Sequence, residues 1–283
     1  TLRVGDQCQL LELPLKLSGQ FDDVPYDVEF ATFASGPLVN EAFGAGAIDI
    51  GTMGDTPALL SYAQGLDTVV VGIRSNDGLA MTLIASPESG ITSLEQIEGK
   101  RVAWTTGSNQ HGFVLRALES VGLGQDDVDH VDVPLLDVVN VLAAGSADVG
   151  VAYEVFRPAY IAEHPGAVEL AALNDFTESY NYLLALRPVL DDPAKAAAIE
   201  DFVGRLARAA RWVEEHPDEW IQTYYIDIQK QSPDAARAAY EAQGRTRWVA
   251  IAGGDAQASQ QQQADLFHEA GLLPEPVDVS PQY

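Results

Sequence analysis

The sequence predicts an α/β protein of two similarly built lobes with a ligand cleft between them. Residues 45–51 read Ala-Gly-Ala-Ile-Asp-Ile-Gly, and residues 144–150 read Ala-Gly-Ser-Ala-Asp-Val-Gly. In each copy an apolar-periodic helix ends at the glycine, and a short apolar strand begins near the aspartate. Open α/β sheets bind ligands beyond the carboxyl ends of their strands, so two facing sheets make a cleft. Ala-Gly-x-x-Asp is also a common helix-to-strand connector, which leaves a chance recurrence open.

Alternating apolar patterns predict the strands and place helices between them, as a βαβ layout requires. The first five strands are expected at Leu2–Val4, Tyr26–Phe30, Ala47–Thr52, Thr68–Ile73 and Leu79–Ala85. A second series has strands at Arg101–Thr105, His130–Val133 and Ala147–Tyr153, with helices at Ser108–Val121, Asp137–Ala144 and from about Arg157. Strand-like Tyr182–Leu186 closes this series.

Two apolar runs, Met81–Ala85 and Tyr182–Leu186, are interpreted as the segments that join the lobes. A chain that leaves one lobe, builds a second and returns must cross between them twice. Lobe 1 is then expected to comprise residues 1–86 and 187–283, and lobe 2 residues 87–186. From Pro193 onward the pattern is mostly helical, and its longest helix is expected at Ala194–Glu215.

Composition fits two domains of ordinary size and disfavours two classes of partner. The 283 residues are 47% apolar, which is enough for well-packed cores. Forty-two acidic residues against sixteen basic ones give a formal charge of -26. Such a surface would repel nucleic acid and anionic membranes. High acidity also keeps a protein soluble, and we expect a monomer.

The residues alone leave the cellular compartment open. Cys8 is the single cysteine, so no internal disulfide can form. The sequence has no run of eighteen apolar residues, and Thr1 is not followed by a charged-then-apolar leader. A signal segment would therefore have to lie outside this sequence.

Four predicted helices begin at the carboxyl ends of strands with small or capping residues. They begin at Phe33-Ala34-Ser35-Gly36-Pro37, Gly54-Asp55-Thr56-Pro57, Gly107-Ser108-Asn109 and Asp137. A helix N-terminus has unpaired N–H groups and carries about half a positive charge, so it can hold an oxyanion without Lys or Arg. Ordinary capping explains any single one of these starts. Two such helix starts in each lobe, facing one cleft, predict an anion site there.

At these residues the chain resembles the substrate-binding proteins of ABC importers for sulfonates, taurine, nitrate and related compounds, and above all the aliphatic-sulfonate branch. The resemblance is close over about residues 1–190 and looser over the helical tail. The matching segments are Leu2-Arg3-Val4-Gly5-x-Gln7, Phe33-x-Ser35-Gly36-Pro37, Glu41-Ala42, Ala45-Gly46-x-x-Asp49, Gly54-Asp55-Thr56-Pro57, Ile97-Glu98-Gly99-Lys100-Arg101-Val102-Ala103, Gly107-Ser108-x-x-His111, Leu136-Asp137 and Ala144-Gly145-x-x-Asp148.

The resemblance implies a periplasmic-binding-protein-like fold of type II, in which two crossover segments join two α/β lobes. It implies capture of a small organic solute, first of all an organosulfonate, for delivery to an ABC permease, and no cofactor. The implied location is extracytoplasmic, either in the periplasm or lipid-anchored at the cell surface.

The resemblance also implies which residues line the cleft. They are Gln7, Ser35, Gly36, Asp55, Thr56, Ser108, His111 and Asp137. Their neighbours Cys8, Gly107, Asn109, Tyr153 and Glu154 complete the expected ligand-binding set. Tyr153-Glu154 stands where the branch often has Trp-Asp, and Cys8 where a longer polar or basic residue is typical. These two departures leave the exact ligand open.

An enzyme on the same fold is the rival hypothesis. A desulfinase relative of this fold keeps a nucleophilic cysteine at the end of its first strand, where Cys8 lies. A thiolate there needs a nearby cation or histidine to lower its pKa. Residues 51–57, where that relative supplies partner groups, offer only Thr52, Met53, Asp55 and Thr56. We therefore expect no catalytic residue; a ligand sensor without transport is a third reading.

The sequence contains no other assembled catalytic or metal-binding set. Ser108 and His111 share a helix face, but there is no orienting acid and no Gly-x-Ser-x-Gly turn. The five histidines show no metal-binding spacing. Arg74 ends a strand and Arg157 opens a helix, so either could reach the cleft as a fork for an anion. A surface arginine paired with an acid is the commoner case.

Overall fold

The computed structural model describes residues Thr1–Tyr283 as two α/β lobes, each built on its own sheet. The strands are β1 (Leu2–Gln7), β2 (Val28–Phe33), β3 (Ile50–Gly54), β4 (Thr68–Asn76), β5 (Met81–Ala85), β6 (Arg101–Trp104), β7 (Asp129–Asp132), β8 (Val149–Tyr153), β9 (Val168–Ala172), β10 (Ser179–Leu186) and β11 (Thr246–Trp248). The sheet of lobe 1 has the order β11-β4-β10-β3-β1-β2, and that of lobe 2 the order β7-β6-β8-β5-β9.

Helices cover the sheets and dominate the last third of the chain. They are α1 (Glu12–Leu17), α2 (Gly36–Gly44), α3 (Asp55–Ala63), α4 (Asn109–Ser120), α5 (Val138–Ala143), α6 (Arg157–Glu163), α7 (Arg187–Leu190), α8 (Pro193–Glu215), α9 (Pro217–Trp220), α10 (Pro233–Gln243) and α11 (Asp255–Glu269). A π-helical segment spans Ile221–Ile228. None of these helices combines the length and the apolar character that crossing a bilayer requires.

The longest helix, α8, packs on lobe 1 through one apolar stripe. Ile199, Phe202, Leu206 and Ala209 recur every three or four residues and are buried against the β1 side of the sheet. Pro193 begins the helix, and the side chain of Asp192 accepts the backbone N–H of Ala194 as its N-cap. The predicted helix at Ala194–Glu215 is confirmed to within one residue.

The Ala-Gly-x-x-Asp repeat occupies equivalent places in the two lobes, where it binds an arginine of the lobe's first parallel strand. Arg3 donates its backbone N–H to Asp49 at 2.9 Å, its Nη2 to the same carboxylate at 2.6 Å and its Nη1 to the Gly46 carbonyl at 2.6 Å. Arg101 makes the same three bonds with Asp148 and the second motif glycine, at 3.0, 2.7 and 3.0 Å. Both glycines have left-handed φ angles, 63° and 68°. The recurrence is therefore a shared structural device.

The two lobes are joined at residues 77–80 and 173–178, which corrects the predicted boundaries. Met81–Ala85, expected as a connection, is β5, which pairs with β8 on one side and β9 on the other. Tyr182–Leu186, the other expected connection, belongs to β10, between β3 and β4. A strand covered on both faces has a continuous apolar run, and this pattern was the reason for the wrong boundaries.

A buried aromatic cluster joins the lobes on the side of the helical tail. Val155 and Phe156, which follow β8 of lobe 2, pack with Trp220, Tyr224 and Tyr225 of the tail. Residues of α1 and α10 complete the cluster from lobe 1. We call this group the interlobe cluster.

Candidate ligand-binding cleft

A cavity of about 150 Å³ lies between the two lobes. One water molecule needs about 10–15 Å³ of such space, so the cavity has room for about ten to fifteen non-hydrogen atoms. The 22 lining residues are Gln7, Cys8, Leu10, Thr52, Gly54, Arg74, Asn76, Ala80, Asn109, Leu135, Leu136, Tyr153, Glu154, Val155, Phe156, Ser179, Asn181, Tyr224, Tyr225, Gln229, Gln243 and Thr246. Its size restricts the occupant to a small molecule.

The lobe 1 wall of the cavity is a row of polar side chains on the central strands. Asn181 of β10 lies opposite Arg74 of β4, and Ser179 lies opposite Asn76. On its other side Asn181 pairs with Gly54, the last residue of β3. Side chains two positions apart on a strand share a face. The register therefore gathers one guanidinium, two amides and a hydroxyl on one side of the sheet.

Arg74 is the one cation among the lining residues. Its Nη2 lies 3.4 Å from the Thr52 hydroxyl, and no carboxylate oxygen lies within 4.0 Å of the guanidinium. Burial lowers the pKa of Arg74, and the longer-range charge of Asp6 opposes this shift. A guanidinium nevertheless remains charged in proteins. Arg74 thus presents a positive charge and free N–H donors to the cavity.

Asp6 is held away from Arg74 by its own hydrogen bonds. Its buried carboxylate accepts the backbone N–H groups of Leu11 at 3.0 Å and Glu12 at 2.8 Å, at the start of α1. Burial raises the pKa of Asp6 to about 6, because the desolvation of the carboxylate outweighs these two bonds. Asp6 therefore balances part of the Arg74 charge without occupying its donors.

Glu154 is the one acid among the lining residues, and it follows β8 in lobe 2. Its carboxyl makes no hydrogen bond or ion pair with another residue, and burial raises its pKa to about 7. The charge of Glu154 helps to raise the pKa values of Cys8, Tyr153, Tyr224 and Tyr225, so these titratable side chains lie near it. None of these is a cation, so the carboxyl of Glu154 has no charged partner in the protein.

The two lobes touch where α3 and α4 begin. A Cβ at Gly54, the residue before α3, would lie 2.8 Å from Nδ2 of Asn109, the first residue of α4. Tyr153 donates its hydroxyl to Oδ1 of Asn109 at 2.5 Å. This bond orients the Asn109 amide with Nδ2 toward lobe 1. The missing side chain at Gly54 is what allows the lobes to close here.

Cys8 and Gln9 form a strained turn at the end of β1. Their φ angles are 58° and 62°, in the left-handed region that residues other than glycine rarely adopt. Cys8 lines the cavity, and its Sγ lies 3.8 Å from the carbonyl oxygen of Ala34. Burial, together with the charges of Asp6 and Glu154, raises the pKa of the thiol to about 11. The thiol is therefore protonated at neutral pH.

Five of the thirteen predicted ligand-binding residues line the cavity: Gln7, Cys8, Asn109, Tyr153 and Glu154. The other eight line no part of it, and they are Ser35, Gly36, Asp55, Thr56, Gly107, Ser108, His111 and Asp137. Two of the four predicted helix starts, those of α3 and α4, reach the cavity through Gly54 and Asn109. The starts of α2 and α5 do not.

The predicted residues around α4 hold the beginning of the helix together. Ser108 accepts the N–H of Gln110 at 3.2 Å and donates its hydroxyl to the Thr105 carbonyl at 2.8 Å. His111 accepts the Gly107 N–H through Nδ1 at 3.3 Å, and its other ring nitrogen contacts a glutamine. Burial lowers the pKa of His111, which favours the neutral ring. These polar groups are occupied within lobe 2.

Three of the predicted residues of lobe 1, Ser35, Gly36 and Thr56, are buried where helices of that lobe pack together. Ser35 is buried, and Gly36 lies against a proline of α3 where α2 and α3 cross. Thr56 is buried and hydrogen-bonds a glutamine of α11, while Asp55 accepts the Thr56 N–H at 2.6 Å. Asp137 is exposed, and the leucines just before it line the cavity instead.

Of the two arginines considered as anion forks, Arg74 lines the cavity and Arg157 does not. Arg157 forms an ion pair with Glu169 on the same lobe. The aromatic wall at Tyr224 and Tyr225 was missed, because it lies in the helical tail where neither a strand pattern nor the family resemblance gave a signal. No group of three or more His, Cys, Asp or Glu side chains is placed to hold a metal ion.

Comparison with known families identifies this architecture. The family model described as NMT1/THI5-like matches residues 18–220. The chain belongs to the NMT1/THI5-like family. A sequence of Escherichia coli (strain K12) named for aliphatic sulfonate binding is 27% identical over 283 residues, which covers 98% of this chain and 86% of that relative.

Two solved structures of sulfonate-binding proteins match nearly the whole of this family member. The periplasmic aliphatic sulphonate binding protein SsuA from Escherichia coli has a TM-score of 0.85 at 25% identity, covering 99% of this chain and 90% of that one. The alkanesulfonate-binding protein SsuA from Xanthomonas axonopodis pv. citri, bound to MOPS, has a TM-score of 0.87 at 25% identity, covering 99% and 96%. The fold is that of a periplasmic binding protein, which confirms the predicted fold class and family.

Proposed function

We propose that this protein is the extracytoplasmic solute-binding component of an ABC importer and that its ligand is an organosulfonate. The observation that carries the proposal is Arg74, a guanidinium without an ion-pair partner in a cavity between two lobes. A sulfonate stays ionised at physiological pH and offers three acceptor oxygens, which suit the forked donors of arginine. The sulfonate-binding relatives support the same ligand class.

Neutral hydrogen-bonding groups around Arg74 complete the proposed sulfonate site. Thr52, Asn76, Ser179 and Asn181 lie on the same wall and can contact oxygens that the guanidinium does not reach. Asn109 Nδ2 approaches from lobe 2 at Gly54. A sulfonate held by Arg74 and Asn109 would contact both lobes, so it would bind the closed form more tightly than the open one.

A desulfinase reaction at Cys8 is not favoured by the same geometry. A nucleophilic cysteine needs a depressed pKa or an adjacent base. The charges near Cys8 are those of Asp6 and Glu154, and they raise the pKa of the thiol. The proposal is therefore capture of the sulfonate without cleavage of its carbon–sulfur bond.

Isothermal titration calorimetry with a series of sulfonates and matched carboxylates tests the proposal. We expect at least one sulfonate of about ten non-hydrogen atoms to bind with a Kd on the order of micromolar. Arg74→Gln should weaken that binding by about 30-fold or more, about 2 kcal/mol, because a buried charge loses its partner. Arg247→Gln is the matched control, since Arg247 lies on neighbouring β11 with an exposed side chain paired to Glu178.

Two results would contradict the proposal. The first is a protein that binds no sulfonate while its circular dichroism shows a folded chain. The second is sulfite released from a sulfinate or sulfonate by the wild type and abolished in Cys8→Ser, which would establish the enzyme hypothesis instead.

A further inference from the structure

We infer that the ligand is a zwitterion, with its sulfonate on Arg74 of lobe 1 and an alkylated ammonium group beside Glu154 of lobe 2. This inference rests on the proposed function and adds the second half of the ligand. Of the 22 lining residues, one is a cation and one is an acid, and each comes from a different lobe. The two side chains do not pair with each other within 4.0 Å. Each is therefore available to a ligand charge of opposite sign.

The surroundings of Glu154 are those of a site for an organic cation. Tyr153, Tyr224, Tyr225 and Phe156 share the wall with the carboxyl. Aromatic rings beside an acid attract alkylated ammonium groups, because the negative ring faces and the carboxylate act together while methyl groups contact the apolar surface. The structure thus supplies both the charge and the apolar contacts that such a group needs.

The tyrosine hydroxyls near Glu154 are used elsewhere. Tyr153 donates to Asn109 at 2.5 Å, and Tyr225 donates to Gln243 at 2.7 Å. They do not donate to the Glu154 carboxyl, and the remaining neighbours, Cys8 and Tyr224, bring no positive charge. An uncharged alkyl tail in this part of the cavity would leave the carboxyl desolvated and unpaired, which is unfavourable for the ionised form. A cationic tail removes that penalty.

The placement of the two charges also couples recognition to closure. Arg74 lies on the central sheet of lobe 1, and Glu154 lies at the end of a lobe 2 strand. A ligand with one charge pairs with the charged side chain of one lobe, whereas a zwitterion pairs with both charged side chains only when the lobes are together. Differential contact of this kind is what shifts a conformational equilibrium.

An isosteric ligand pair tests the inference on the wild-type protein. N,N,N-trimethyltaurine and 3,3-dimethylbutane-1-sulfonate have the same shape and about ten non-hydrogen atoms each, which fits the cavity. They differ by the replacement of the quaternary nitrogen with carbon. By calorimetry at pH 8, we expect the ammonium compound to bind at least tenfold more tightly than its carbon analogue.

The Glu154→Gln variant tests whether Glu154 causes the preference for the ammonium compound. It keeps the shape of the side chain and should reduce the preference for the ammonium compound to threefold or less, mainly by weakening the binding of that compound. Glu98→Gln, at an exposed position on lobe 2, is the matched control and should keep the wild-type preference. Lowering the pH from 8 to 5.5 should reduce the wild-type preference and leave that of Glu154→Gln unchanged, because protonation removes the charge that the variant already lacks.

Equal or tighter binding of the carbon analogue by the wild type would overturn the inference, as would binding of propanesulfonate with no binding of either member of the pair. In both cases the proposed function stands, since a sulfonate is bound. A folded protein that binds no sulfonate at all refutes the proposed function and this inference with it.

Discussion

Replacement of Asp49 by asparagine is expected to destabilise the protein by about 2.5 kcal/mol at pH 7. Burial by itself raises the pKa of Asp49, but the bonds from the Arg3 side chain, the Arg3 backbone N–H and Lys195 outweigh it and hold the pKa at about 2. The ordinary value is 3.8. A difference of roughly 1.8 pKa units at about 1.36 kcal/mol per unit gives the expected loss.

The same shift fixes the direction of the pH dependence. The pKa in the folded state lies below that of the unfolded chain, so the contribution is complete above about pH 5 and disappears as the pH falls through the folded value. About half of it should be lost by pH 3. The difference in stability between wild type and Asp49→Asn should shrink accordingly.

Urea unfolding at pH 7 and at pH 3, followed by tryptophan fluorescence, measures both quantities. Asp148→Asn is the matched control, because Asp148 makes the equivalent arginine pair with a side chain that is 22% exposed against 0% for Asp49. Its cost should be about 1 kcal/mol or less. A loss below about 0.5 kcal/mol for Asp49→Asn at pH 7, or a difference that stays constant down to pH 3, would refute the reasoning.

Three further predictions concern the cleft. Gly54→Ala should weaken ligand binding at least tenfold by calorimetry with little change in Tm, because its Cβ would lie 2.8 Å from Asn109 and hold the lobes apart. Gly44→Ala, whose Cβ has ordinary contacts, is the control. Unchanged affinity in Gly54→Ala would show that the lobes tolerate the methyl group. Ser108→Ala should lower the free energy of unfolding by about 1 kcal/mol through loss of the α4 cap and leave the Kd for the ligand unchanged. A large loss of affinity at normal stability would show that the Ser108 hydroxyl contacts the ligand. Alkylation of Cys8 by iodoacetamide, followed by mass spectrometry, should still be accelerating between pH 9 and 11, since the pKa of the thiol is about 11; a plateau by pH 8 would mean an activated thiolate.

The sequence was sufficient to predict the fold class and most strands of the first two thirds of the chain, because these strands carry regular apolar patterns between helices. The strand at Val168–Ala172 was missed, although Pro165-Gly166 before it ends the preceding helix. The strand at Thr246–Trp248 has three residues, too few for a periodic signal. The lobe boundaries were wrong because apolar character does not distinguish a central strand from a buried connection.

The cleft was predicted less completely for a different physical reason. Helix starts and strand ends can be located along a sequence, but which of them face each other depends on the rotation of one lobe against the other. Ser108 and Asn109 are adjacent, yet Ser108 caps its own helix and Asn109 faces the cavity. Arg74 could be named as a candidate from its place on a strand. Its lack of an ion-pair partner depends on distant side chains and is visible only in three dimensions.

We expect the interlobe cluster to slow the exchange of ligand. Opening the cleft would separate Val155 and Phe156 from the aromatic side chains of the tail, and each large aromatic side chain that is uncovered costs on the order of 2 kcal/mol. This cost opposes opening with or without a ligand, and it adds to the preference of the ligand for the closed form. We therefore expect a bound molecule to have a longer residence time than its own contacts would give it. A membrane partner that holds the aromatic faces apart would shorten that residence time without touching the ligand.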